Sequence, residues 1–64
     1  MRDPQVKSAA RVLDVLQLFE TTRRPMRAVE IGEALGVSQS SMAMVLRTMQ
    51  DKGYLDLNPA TRCY

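Results

Sequence analysis

Apolar residues recur at helical spacing in three stretches of this chain, and a glycine stands just past two of them. In the middle stretch Ala28, Ile31 and Leu35 fall on one side of a short helix, which turns that side toward a core. Gly36 ends it, because glycine enters the left-handed backbone region without a Cβ clash. Val37 follows as a plug into the core. Ser38, Ser40 and Ser41 offer hydroxyls to the unpaired N–H groups that open the next helix, predicted over roughly residues 40–52. Met42, Val45, Leu46 and Met49 mark its core face in an i, i+3, i+4, i+7 set, while Ser40, Ala43, Met44 and Arg47 mark an outward face. Gly32 removes a side chain where a crossing helix needs to come close. Two short helices joined in this way have the spacing of a helix-turn-helix unit, whose second helix enters the major groove. An ordinary helical hairpin has a similar turn, so the flanking chain must decide between them.

Residues 1–7 contain Pro4 and no apolar period, which predicts an irregular arm. Ser8 reads as the N-cap of a first helix running to about Thr21, with Ala9, Val12, Leu13, Leu16 and Phe19 as its main stripe. Val15 and Leu18 lie beside that stripe. Either they complete the core of a three-helix domain or they face a partner chain in a dimer seam. Thr21 to Pro25 breaks the period as a loop, and Met26 and Arg27 offer one edge pairing. Gly53 ends the last helix, with Lys52 in its final turn suiting the helix dipole. Tyr54, Leu55, Asp56 and Leu57 then alternate like a half-buried strand. Asn58-Pro59-Ala60-Thr61 is a turn: Pro59 presets its φ, and Asn58 is able to accept from the backbone two residues on. Arg62-Cys63-Tyr64 begins a returning strand. The order predicts a mainly α fold with a small β-hairpin, a winged helix-turn-helix over residues 8–64 with a three-helix core and a wing truncated at its C-terminal side.

A chain of 64 residues makes one domain, and at that size only about 60% of the unfolded surface is buried, so stability is marginal. With 45% apolar and 25% charged residues the composition is that of a globular chain rather than a disordered one. No apolar run approaches the ~20 residues of a membrane span, and the first seven residues lack the apolar core of a signal peptide. Cytoplasmic location and no membrane contact are expected. Cys63 is the single cysteine and has no internal partner, in keeping with a reducing compartment.

A net charge of +2 says little about a nucleic-acid partner, because affinity follows the cations that reach phosphates rather than the sum. The distribution is more informative: Arg23, Arg24 and Arg27 cluster in one loop, Arg47 stands on the outward stripe and Arg62 lies near the C-terminus. The acids Asp14, Glu20, Glu30 and Glu33 belong to the first two helices. An enzyme is not expected. The chain has no histidine, no metal-ligand cluster, no phosphate-cradling glycine loop and no nucleophile beside a base, and nothing in it calls for a cofactor.

Taken together, the residues resemble the N-terminal DNA-binding domain of the IclR family of bacterial transcriptional regulators. The resemblance runs from about Val6 to Tyr64 through VKSAARVLDVLQLF, then RPM and VEIGEALGVSQSS, and finally VLRTMQDKGYLDLNPAT. It implies a regulator that is a dimer or tetramer, binds operator DNA with this domain and senses a small molecule through a C-terminal domain absent from this chain. No effector site is therefore expected here. Two departures stand out. The family commonly carries basic or imidazole residues where this chain has Ala43 and Met44, and a glycine followed by a basic residue where it has Arg62 and Cys63. A side chain at the position of Arg62 is strained if φ is positive there.

The candidate partner is thus double-stranded DNA. Gln39, Ser40 and Ser41 open the second helix of the unit, where side chains reach base edges and N–H groups meet phosphate. Ala43 and Met44 are suited to thymine methyl groups. Arg47 suits a phosphate, or else an ion pair with Asp51 four residues on. Arg27, just before the first helix of the unit, and Arg62, in the wing, are the remaining phosphate candidates. The alternative is a winged helix used as a protein-interaction or dimerisation module, favoured by the low net charge and the apolar run Met42-Ala43-Met44.

Overall fold

A computed structural model of the chain describes residues 6–64, so the expected arm falls outside the described residues except at its last two positions. Three helices follow in order, α1 over Lys7–Thr22, α2 over Ala28–Leu35 and α3 over Gln39–Asp51, and each packs on the other two. Their shared core holds Val15, Ile31, Met42 and Leu46, all fully buried, with Met26, Val45 and Met49 closing around them. Every apolar position predicted for the core face of α3 is in that core.

α1 departs from expectation in two ways. It begins at Lys7, and Val6 rather than Ser8 holds the N-cap position, with no side-chain cap. Its stripe is also rotated. Val15 is fully buried and Val12, Leu18 and Phe19 pack against the core, while Ala9, Leu13 and Leu16 of the predicted main stripe are exposed. Val15 and Leu18 therefore complete the three-helix core and are not a dimer seam. The misreading has a physical origin: α1 is apolar on two opposite sides, and periodicity reports a helix without saying which side its neighbours cover.

All three helices end through a residue in the left-handed region. Gly36 (φ 68°) closes α2, its N–H donating to Glu33 O while the N–H of Val37 reaches Gly32 O at 2.9 Å. Gly53 (φ 85°) does the same past α3, with Gly53 N–H donating to Gln50 O and Tyr54 N–H to Met49 O. Both are Schellman pairs that satisfy the last carbonyls. Lys52 is the residue just beyond α3 rather than part of its last turn. α1 ends on Arg23 (φ 53°), whose N–H donates to Phe19 O.

The strand predicted at Tyr54 to Leu57 does not form a ladder. Among the described residues there are two isolated antiparallel bridges, Asn58 with Cys63 and Arg27 with Cys63. The backbone of Tyr64 exchanges both its hydrogen bonds with Met26, at 2.8 and 3.2 Å, so it does not pair with the segment before the turn. Met26 and Arg27 thus make the single edge pairing expected of them. The turn itself is well made: Asn58 Oδ1 accepts from Ala60 N–H at 2.9 Å, and Arg62 N–H donates to Asn58 O at 2.7 Å.

Candidate nucleic-acid interface

α3 is held to the domain by one side and open on the other. Ser38 caps it, its Oγ accepting from the N–H of Ser41 at 3.4 Å. Met42, Val45, Leu46 and Met49 lock the inner side into the core. The outer side presents Ser40, Ala43, Met44 and Arg47, all exposed, with Met44 at 72% of its possible surface. The Thr48 hydroxyl, on the same outer side, donates to the Met44 carbonyl of its own helix at 2.9 Å. Arg47 forms no ion pair with Asp51. Among the described residues the salt bridge is Arg24 to Glu30, at 3.2 Å.

Gln39 and Ser41 sit differently from the rest. The Gln39 carboxamide lies over Gly32 of α2, so close that a Cβ added to Gly32 would stand 3.0 Å from Nε2. The same Cβ would stand 3.1 Å from the Val37 carbonyl oxygen, so the close approach that needs a glycine comes from the turn and the start of α3. Ser41 is half-buried and shares a surface hollow with Ser8, Arg11, Met44 and Thr48. Arg11 brings a cation to the flank of Met44 that sequence reasoning did not find. Its one signal is its place four residues before Val15, which matters only once Val15 is known to face the core.

A second group forms at the start of α2. Arg27 and Arg62 are both exposed and line one hollow with Val29, Leu57 and Tyr64, brought together by the bridge between Arg27 and Cys63. Glu30 Oε1 accepts from the Arg27 N–H at 3.1 Å, half of a capping box, and Oε2 accepts from Arg24 Nη1. These contacts, the backbone bond first and the Arg24 bond second, hold the Glu30 carboxyl below its ordinary value of 4.5. Arg24 is thereby engaged, whereas Arg27 and Arg62 have no ion-pair partner among the described residues. Arg62 has φ 62°, the strained conformation expected of a side chain at that position.

The structure therefore gathers the predicted residues into two groups, the outer side of α3 and the Arg27–Arg62 edge, with Gln39 at the junction of α2 and α3. Among the described residues no group of three or more histidine, cysteine or carboxylate side chains is placed to hold a metal, and no helix is long and apolar enough to cross a membrane. Cys63 is half-buried, its Sγ 3.7 Å from Thr61 O.

Comparison with known proteins agrees with the helix-turn-helix of α2 and α3. The family model for the IclR helix-turn-helix domain matches residues 8–59. The HTH-type transcriptional regulator XynR of Escherichia coli (strain K12) is 33% identical over 61 residues, which covers 95% of this chain and 24% of XynR. The chain thus spans about a quarter of the length of that relative. No solved structure matches.

Proposed function

The chain belongs to the IclR helix-turn-helix domain family, and from that premise we propose that it binds operator DNA as the reading head of a transcription regulator working in the cytoplasm. α3 enters the major groove with Ser40, Ala43, Met44 and Arg47 toward the bases and their phosphate edge, and the N–H groups of Gln39 and Ser40, with the Ser41 hydroxyl beside them, meet a phosphate. Arg27 and Arg62 contact the backbone from the α2 edge, with the Asn58–Cys63 turn acting as the tip of a wing. The observation that carries this reading is the open outer side of α3, where Arg47 has no ion-pair partner among the described residues while the inner side is fixed in the core.

A regulator built on this domain pairs with a second copy. The support lies along α1, where Leu13 and Leu16, with Val6 at the N-cap, are exposed on the side away from the core together with Ala9. Val6 and Leu13 are seven residues apart, as are Ala9 and Leu16, the period of a helix–helix seam. Glu20 continues the Val6–Leu13 row one heptad on, so a parallel pair would set Glu20 against its own copy, whereas an antiparallel pair separates the two carboxylates. Such a pair presents two recognition helices to two half-sites.

An NMR titration with a short generic duplex tests the proposal. About three to five phosphate contacts give a log–log salt slope of roughly −2.7 to −4.5, with shifts at Gln39 to Arg47, Arg27 and the 58–62 turn. Arg47→Ala should weaken binding and flatten that slope by about one. Amides of α3 that do not move, or affinity indifferent to salt, refute it in favour of a protein-interaction module.

A further inference from the structure

Met44 occupies the centre of the side of α3 that faces outward, and its surroundings offer DNA little hydrogen bonding there. Ser40 lies one turn before it and Arg47 one turn after. The Thr48 hydroxyl is bound to the Met44 carbonyl, and the Gln39 carboxamide is laid over Gly32. What remains between Ser40 and Arg47 is the Met44 thioether chain with the Ala43 methyl beside it, both exposed.

We infer that Met44 and Ala43 read the C5-methyl groups of thymine, so that the methyl content of the groove floor is the main specificity determinant of this domain. The inference rests on the DNA-binding reading above. Among the features a base pair shows in the major groove, the thymine methyl is the apolar one, and it is what an exposed thioether desolvates with gain. Methionine also suits the task, since its unbranched, polarizable chain adapts to a methyl whose position varies with local DNA shape. The charge pattern fits the same occupant. Met44 shares its hollow with Arg11, and Arg47 follows on the next turn. An apolar centre between cations complements a methyl-bearing floor between two phosphate rails. Asp51 lies two turns beyond Met44 on the same side, at the end where α3 leaves the groove.

The test compares affinities of the whole chain for a short alternating A·T duplex and for the same duplex with deoxyuridine in place of thymidine. That exchange removes the methyl and leaves every donor and acceptor in place. Each methyl desolvated by Met44 should change affinity about fourfold, and two about sixteenfold. Met44→Ala, an exposed position that leaves the core intact, should bring the two duplexes to within about twofold of each other, and 5-methylcytosine in a G·C duplex should raise the affinity of the unaltered chain. Equal binding of the thymidine and deoxyuridine duplexes overturns methyl readout while DNA binding stands. A difference that survives unchanged in Met44→Ala also overturns it, and assigns the preference to duplex stiffness. No salt-sensitive binding to any duplex overturns the DNA-binding reading itself, and leaves Met44 as part of a protein contact.

Discussion

Replacing Gly32 by alanine sets two effects of similar size against each other inside the turn that positions α3. Alanine in place of a helical glycine is worth about 1 kcal/mol in propensity. The new Cβ, however, would stand 3.0 Å from Gln39 Nε2 and 3.1 Å from Val37 O, with Met42 Cβ at 3.8 Å. The Gln39 carboxamide is the far end of a flexible side chain and swings aside at small cost. The Val37 carbonyl has no such freedom, because the N–H of Val37 is bonded to Gly32 O itself, its side chain is half-buried against the core, and the next residue caps α3. Overpacking against a fixed neighbour costs about 1 to 3 kcal/mol. The net expectation is a loss of about 1 kcal/mol, a fall in Tm of roughly 4 to 8 °C for a domain of this size. Thermal unfolding followed by circular dichroism measures it. Ala34→Gly, at an exposed position of the same helix, calibrates the propensity contribution in place. If Gly32→Ala raises Tm by as much as Ala34→Gly lowers it, no clash exists and the close approach assigned to Gly32 is wrong.

Two further predictions concern the Arg27–Arg62 edge. Arg62→Gly relieves a left-handed conformation that costs a side-chain-bearing residue roughly 1 to 2 kcal/mol, of which about 0.5 to 1 is offset by the greater backbone entropy glycine loses. Calorimetry should show a gain of about 0.5 to 1 kcal/mol, accompanied by weaker duplex binding from the lost cation, and a destabilised variant would contradict the strain at φ 62°. Glu30 titrates below its ordinary value of 4.5 through its bonds to the Arg27 N–H and to Arg24. With the folded pKa the lower one, its stabilising contribution is complete above the unfolded value and fades as pH falls through the folded value. Unfolding of Glu30→Gln should therefore lose part of the acid dependence seen in the native chain, and a carboxyl resonance of Glu30 titrating above 4.5 would contradict the contacts described.

The helix-turn-helix unit was legible in the sequence because its signals are local. Ala28 to Leu35, the stop at Gly36 and the inward set Met42, Val45, Leu46 and Met49 each follow from spacing within a few residues, and each stands in the structure as read. Asn58 and Pro59 announced their turn for the same reason, since a carboxamide that bonds two residues on needs no distant partner. Glu30 as a capping partner was not read from the sequence: its bond to the Arg27 N–H depends on α2 starting at Ala28, and its bond to Arg24 on that residue arriving from the loop.

By itself, then, the sequence determined where the helices lie, where they stop and which residues of α3 face outward, because those follow from backbone sterics and the 3.6-residue period. Only the tertiary structure decided which apolar side of α1 is core, that Gln39 folds over Gly32, that Arg11 joins Met44 and Arg27 joins Arg62, and that Tyr64 pairs with Met26 instead of completing a hairpin. Apart from Gln39 and Gly32, seven residues apart across the turn, each of these joins residues far apart in the chain, which come together only in the packing that buries Val15, Met26 and Leu46.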